Sequence, residues 1–267
     1  MLVVTGHFIP ASKGNILLTQ YGQLTDTAIL CLPSITEEMN LARAVVAKQA
    51  HYFAAQGIAT VSSDYAGTGD SEAEFDQVTC DDWLQDIVCA GQWMMAQGVK
   101  QIIVWGIRFG SLLALTHQQT LAAQLPIVAQ LHWKPVMNGK QFASQFLRIK
   151  QASNMMTNSA EKTNWREHIL AGNTVEVAGY PLTAKLLESI EALKVTADFQ
   201  PITPLVWIEL AAKSATPAVA RYIDNWSSES CQLQCINTPA FWQIPEVFDL
   251  PELYPLSLAG LKQLEII

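Results

Sequence analysis

Basic runs are missing from this chain. Nowhere do five Lys or Arg residues stand together, and the formal net charge is −8 with a pI near 5.1. That balance argues against nucleic acid or an anionic membrane surface as the main partner. Long apolar runs are missing too: Arg108 interrupts the most apolar region before about 18 residues accumulate, so no membrane span is expected. Met1–His7 has no basic segment ahead of an apolar stretch, and a signal peptide is not expected. No CxxC pair exists and no His or Cys group has zinc spacing, so neither a metal nor another cofactor is predicted. The five cysteines form an odd set without close scaffold spacing, which fits a reducing cytoplasm. Cys231 and Cys235 share one face of a predicted strand but lie about 13 Å apart, too far for a bridge.

What is present is apolar content, half of 267 residues, enough for one sizeable core. Val3–Ile9 and Asn15–Tyr21 read as a hairpin. Ala28–Leu32, Ile58–Ser63, Gln101–Trp105, Ile127–Trp133, Leu205–Leu210 and Gln232–Ile236 read as strands, several of them continuously apolar. Helical spacing fills the intervals: Glu38–Gln56 closed by Gly57, a helix opened by Thr79-Cys80-Asp81-Asp82 and closed by Gly98, Phe109–Ala123, Pro217–Trp226 and Tyr254–Ile267. From Pro135 to about Phe199 the rhythm is lost, and helical spacing at 140–149 and 182–193 predicts a helical insertion. Alternating strands and helices predict a mostly parallel sheet covered on both faces, with a core from 1–134 and 200–267 and the insertion at 135–199 as a cap on a single compact domain.

In such a sheet the ligand site lies beyond the carboxyl ends of the strands. Two loops there carry motifs. Asp64-Tyr65-Ala66-Gly67-Thr68-Gly69-Asp70-Ser71 resembles the Asp-x-x-Gly-x-Gly-x-Ser turn of α/β-hydrolases, with Asp70 expected to fix the turn through its side chain. Gly106-Ile107-Arg108-Phe109-Gly110 has the Gly-x-X-x-Gly spacing of the nucleophile elbow, between a strand and a helix. Leu32-Pro33-Ser34 matches the place where this fold supplies an oxyanion-hole amide. The resemblance implies an α/β-hydrolase fold over nearly the whole chain. Pro33–Asn40, Trp105–Arg108, Gly139–Phe142, Ala178-Gly179-Tyr180 and Phe241-Trp242-Gln243 further resemble the exosortase A system-associated hydrolases of the second type. That likeness implies a setting beside exopolysaccharide and protein-sorting systems, and a protein partner from such a system.

The catalytic residues of the superfamily do not carry over. The third elbow position is Arg108, whose guanidinium stays protonated and has no nucleophilic lone pair. The loop where the triad acid is expected, 211–216, holds no Asp or Glu, and Glu209 before it is expected to point along the sheet. The loop after the last strand, 237–242, holds no His. Of the five histidines, His51 and His117 fall on predicted outer helices, while His132 ends a strand and is the best placed for a site role, the alternative being a satisfied structural histidine.

Glu37 and Glu38 are expected in the loop facing the elbow. Arg108 pairing with either would be a structural salt bridge or, in the sharper version, part of an anion pocket with helix-terminal amides. Ser34 is a well-placed hydroxyl without an evident base. Ser111 is expected in the first turn of its helix, pointing away, and Cys80 at a helix start is a candidate for a lowered pKa. Trp133, Tyr180, Phe241 and Trp242 come from four regions that converge on the cleft or else fill core. The leading expectation is a non-catalytic binding or accessory protein for a small-molecule, acyl or glycan ligand, with Arg108, Ser34, Glu37, Glu38, Trp133, Tyr180 and Trp242 around it. The rival is an atypical ester or acyl hydrolase with Glu37, Glu38 or His132 in catalytic roles and Arg108 stabilising the oxyanion.

Overall fold

Strand β3 (Thr27–Leu32) explains why its sequence is apolar at consecutive positions. Ala28, Leu30 and Leu32 enter one core while Ile29 and Cys31 enter a second on the opposite face. The computed structural model describes residues 3–156, 163–226 and 231–267, with backbone only for 155 and 156. The same two-sided alternation holds in β5 (Gln101–Ile107), where Ile102 and Val104 oppose Ile103, Trp105 and Ile107, and in β9 (Leu205–Leu210). Each such side chain taken from water contributes about 1.5–3 kcal/mol, and only a strand covered on both faces collects it at every position.

The remaining strands of the sheet are β1 (Val4–Ala11), β2 (Gly14–Tyr21), β4 (Ala59–Ser63), β6 (Ile127–Trp133) and β10 (Cys231–Ile236). The order is β1-β2-β4-β3-β5-β6-β9-β10; β1 and β2 pair antiparallel, β2 runs antiparallel to β4, and the six from β4 to β10 are parallel. Helices α1 (Thr36–Ala55) and α9 (Leu253–Gln263) cover one face through Ala42, Val45, Phe53, Leu253 and Leu258. Helices α2 (Cys80–Ala96) and α3 (Phe109–Thr116) cover the other through Trp83, Ile87, Phe109 and Leu112. Short α4 (Gln118–Ala122) follows α3. Between β6 and β9 come α5 (Gly139–Met156), α6 (Trp165–Leu170), the hairpin β7 (Val175–Val177) and β8 (Tyr180–Leu182), and α7 (Ala184–Ala192); α8 (Pro217–Asn225) joins β9 to β10. Part of the predicted insertion, 157–162, and of the N-terminal segment, residues 1 and 2, lies outside the described residues.

Three local expectations need correction. Helix α1 begins at Thr36, so Glu37 and Glu38 sit in its first turn rather than in a loop, a favourable place for carboxylates at the positive helix end. The single helix predicted over 109–123 is broken at His117, whose ψ of 19° leaves the helical range; His117 is half-buried there, and burial lowers its pKa. The hairpin β7–β8 was not predicted. Its turn, Ala178 and Gly179 at φ 51° and 85°, joins strands of three residues, too short for a period-2 pattern.

Candidate functional site

At the carboxyl ends of β5, β6 and β9 the first residue after each strand has a positive φ without being glycine: Arg108 (52°), Lys134 (44°) and Ala211 (53°). Non-glycine residues held in this region cost of order 1–3 kcal/mol each and gather where a site is shaped. Arg108 also has ψ −110°, and its backbone is held from both sides: its N–H donates to the Trp133 carbonyl at 3.0 Å, and its own carbonyl accepts from Ser111 and Val136. The flanking glycines are required by contact. A Cβ on Gly110 would lie 2.0 Å from the Leu32 carbonyl oxygen, and one on Gly106 would lie 2.7 Å from His132 Nδ1. Gly110→Ala should therefore lower the thermal midpoint far more than Gly98→Ala, which meets open space at φ 97° and loses about 1–2 kcal/mol to backbone strain alone. Equal losses in differential scanning fluorimetry would contradict the close approach of the elbow to the β3 loop.

The Arg108 side chain pairs with a single carboxylate, that of Glu38. Its Nη2 donates to Glu38 Oε1 at 2.8 Å and its Nε to Oε1 and Oε2 at 3.3 and 3.2 Å, while Nη1 reaches the Lys134 carbonyl at 3.5 Å. The guanidinium stands over the Trp242 ring at 5.1 Å, a cation–π distance. Ser34 completes the cluster: its hydroxyl donates to Glu38 Oε2 at 2.8 Å and its Oγ accepts the Phe109 N–H at 3.5 Å. In α/β-hydrolases the amide after the nucleophile is an oxyanion-hole donor. Here that amide points at Ser34. The pair is close to dry, with 9 % and 16 % of the Arg108 and Glu38 side chains exposed. Neighbouring Lys134 pairs with Glu209, which also accepts from Trp207 Nε1 at 2.9 Å. Glu209 shares the face of Trp207, two residues before it, and is spent on these contacts.

Above the pair runs a groove of about 310 Å³. Helix α1 supplies Thr36, Glu37, Glu38 and Leu41, α5 supplies Phe142, Gln145, Phe146 and Ile149, and the loop after β10 supplies Trp242 and Gln243. That size is at the lower end for small-molecule pockets. Glu37, Glu38 and Trp242 thus line one groove. Ser34 faces a separate void of about 30 Å³ and is 1 % exposed. Tyr180 stands behind the groove, its hydroxyl accepting from Asn40 Nδ2 at 2.8 Å and its ring against Phe146.

Other expected site residues lie elsewhere. Trp133 is fully buried on the α9 side, its Nε1 donating to Ser257 and its ring edge-on to Trp105, so it is core and not a ligand wall. His132 is fully buried on the opposite face; its Nε2 faces Gln130 Oε1 at 3.0 Å, and burial pushes its pKa down to about 3. It is a neutral structural histidine under the elbow, not a site base. Asp64, not Asp70, fixes the glycine turn: Asp64 accepts from Arg43 at 3.1 Å and from the Asp70 N–H at 3.4 Å, while Asp70 is exposed. Burial pushes the Cys80 thiol up to about 12 instead of down, which removes it as a nucleophile. Phe241 packs between Trp133 and Trp242. Ser111 is buried in the first turn of α3, as expected.

Sequence reasoning missed Phe142 and Phe146, whose i, i+4 spacing puts both on the buried face of α5, and it missed Lys134. Lys134 was legible as the residue directly after a strand at the carboxyl edge. Among the described residues no group of three or more His, Cys, Asp or Glu is placed to hold a metal ion, and no helix is long and apolar enough to cross a membrane.

No protein-family model and no curated protein matches the sequence. Solved structures do match along nearly the full length. A putative hydrolase from Agrobacterium vitis S4 is 15% identical with TM-score 0.63, over 97% of this chain and 99% of its own. Est1E from Butyrivibrio proteoclasticus, solved with ferulic acid bound, is 16% identical with TM-score 0.63, over 97% and 98%. A soluble variant of monoglyceride lipase from Saccharomyces cerevisiae, in complex with a substrate analog, is 10% identical with TM-score 0.64, over 98% and 94%. With the eight-stranded, mostly parallel sheet and helices on both of its faces, these likenesses establish that the chain has the α/β-hydrolase fold.

Proposed function

We propose that this protein is a non-catalytic binding or accessory protein built on a hydrolase fold, with the groove over Arg108 as its ligand site. The observation that carries this reading is the closed cluster of Arg108, Glu38 and Ser34. A general base needs a free lone pair aimed at a proton. Glu38 spends both oxygens on Arg108 and Ser34. An oxyanion stabiliser needs an uncommitted donor. Arg108 and the Phe109 amide are both engaged. The groove's wall of Leu41, Phe142, Phe146 and Ile149 supports an apolar-chain or acyl ligand.

The segment 135–199, which supplies the α5 wall, acts in this reading as the cap of a single compact domain. The sequence likeness to exosortase-associated hydrolases supports a place beside an exopolysaccharide or sorting system, with a protein partner from it. The cysteine pattern supports the cytoplasm.

The test is hydrolysis of short- and long-chain nitrophenyl esters by wild type, Arg108→Ala and Glu38→Ala. No variant is expected to turn over either ester above the uncatalysed background. Turnover by wild type that both substitutions abolish would overturn the proposal and install a carboxylate–arginine site instead.

A further inference from the structure

The charge left over in the groove is negative. Its lining holds two ionisable side chains, Glu37 and Glu38. Glu38 is cancelled by Arg108 at 2.8 Å, while Glu37, half-buried, has no ion pair among the described residues. The nearby cation Arg43 is engaged by Asp64 at 3.1 Å. Glu37 sits in the first turn of α1, whose partial positive end offsets its charge only in part. An anion entering this groove meets repulsion from Glu37 and finds the Arg108 guanidinium already taken. A cation meets a carboxylate without an ion-pair partner among the described residues.

A second observation concerns neutral polar atoms on the same walls. Thr36 Oγ1 and Trp242 Nε1 are buried without a hydrogen-bond partner among the described residues, and both residues line the groove. An unpaired buried donor costs of order 1–3 kcal/mol, and a ligand carrying an oxygen acceptor would relieve that cost if these side chains turned toward it. The rest of the lining is an apolar trough, with Phe142 and Phe146 on one side and Leu41 on the other.

We propose that the groove selects a single-chain amphiphile with an ammonium head group, its tail along Phe142 and Phe146 and its head at Glu37. This rests on the groove being the ligand site, as proposed above, and reverses the polarity of the anion pocket expected from Arg108 alone. An oxygen next to the head, as in an amino alcohol or an aminoacyl ester, would pair with Thr36 or Trp242 once that side chain turned into the groove.

The test uses the full chain at pH 7, with Nile red bound as reporter and octylammonium, 1-octanol and octanoate as competitors, three ligands with one tail. Octylammonium should compete about five- to tenfold better than octanol, the scale of one partly exposed ion pair, and octanoate should be the weakest. The preference should shrink as NaCl is raised, and Glu37→Gln should bring the three within about twofold. Octanoate binding as well as octylammonium, or a preference that survives Glu37→Gln, overturns the charge inference alone, provided Phe146→Ala still weakens octanol. Failure of all three to displace the dye, or octanol competition indifferent to Phe146→Ala, overturns the ligand-site reading with it.

Discussion

Replacing Arg108 with Met should cost about 3 kcal/mol of folding stability, and replacing Glu38 with Gln should cost a comparable amount, yet the double variant should lose less than either. Each single change leaves the other ion with little water around it, because the two side chains are 9 % and 16 % exposed. Breaking a buried pair from one side costs about 3–5 kcal/mol, whereas replacing both members is often near neutral. Residual exposure and the Ser34 hydroxyl, which remains to Glu38 in Arg108→Met, put the expectation at the low end of that range. Urea denaturation of the four members of the cycle gives the coupling energy directly. Additive losses, or a single-variant loss below about 0.5 kcal/mol, would mean the pair is a solvated contact of the ordinary surface kind.

The sequence made the sheet legible because its strands are apolar on both faces, and it made the elbow legible because Gly106 and Gly110 have no room for a side chain. It could not say which glutamate meets Arg108. Glu37 and Glu38 are adjacent on a helix and so point about 100° apart; the choice depends on where α1 begins, and Thr36 at φ 59° starts it two residues before the apolar periodicity does. Strand parity would have separated His132 from Trp133. Adjacent strand residues face opposite ways, so Trp133 joins Trp105 on the α9 face while His132 lies beneath Gly106. The groove was less legible, since one of its walls is an α5 face whose partner is set only by tertiary packing.

The second large effect is in the pH dependence of stability, where two buried groups act in opposite directions. His132 has its folded pKa lowered to about 3 by burial, from 6.5. Below 6.5 the unfolded chain takes up a proton that the folded chain refuses, so this contribution is complete above pH 6.5 and is lost as pH falls toward 3. Asp86 is fully buried; one oxygen accepts the Ala66 N–H at 2.8 Å and the other has no partner among the described residues. Burial raises its pKa from 3.8 to about 6. Between those values the folded chain holds a proton that the unfolded chain has released, so the Asp86 contribution is complete below pH 3.8 and is lost as pH rises through 6. Over pH 4 to 6 the two slopes oppose each other and largely cancel. Asp86→Asn keeps an acceptor for the Ala66 N–H and removes the buried charge. At pH 7 it should raise stability by up to about 3 kcal/mol, with the gain vanishing near pH 4, so that the variant shows the acid slope of His132 uncovered. Urea midpoints of wild type and Asp86→Asn at pH 4, 5.5 and 7 decide it. A gain independent of pH would assign the effect to packing rather than to the proton, and a loss at pH 7 would mean that the carboxylate is solvated where the structure buries it.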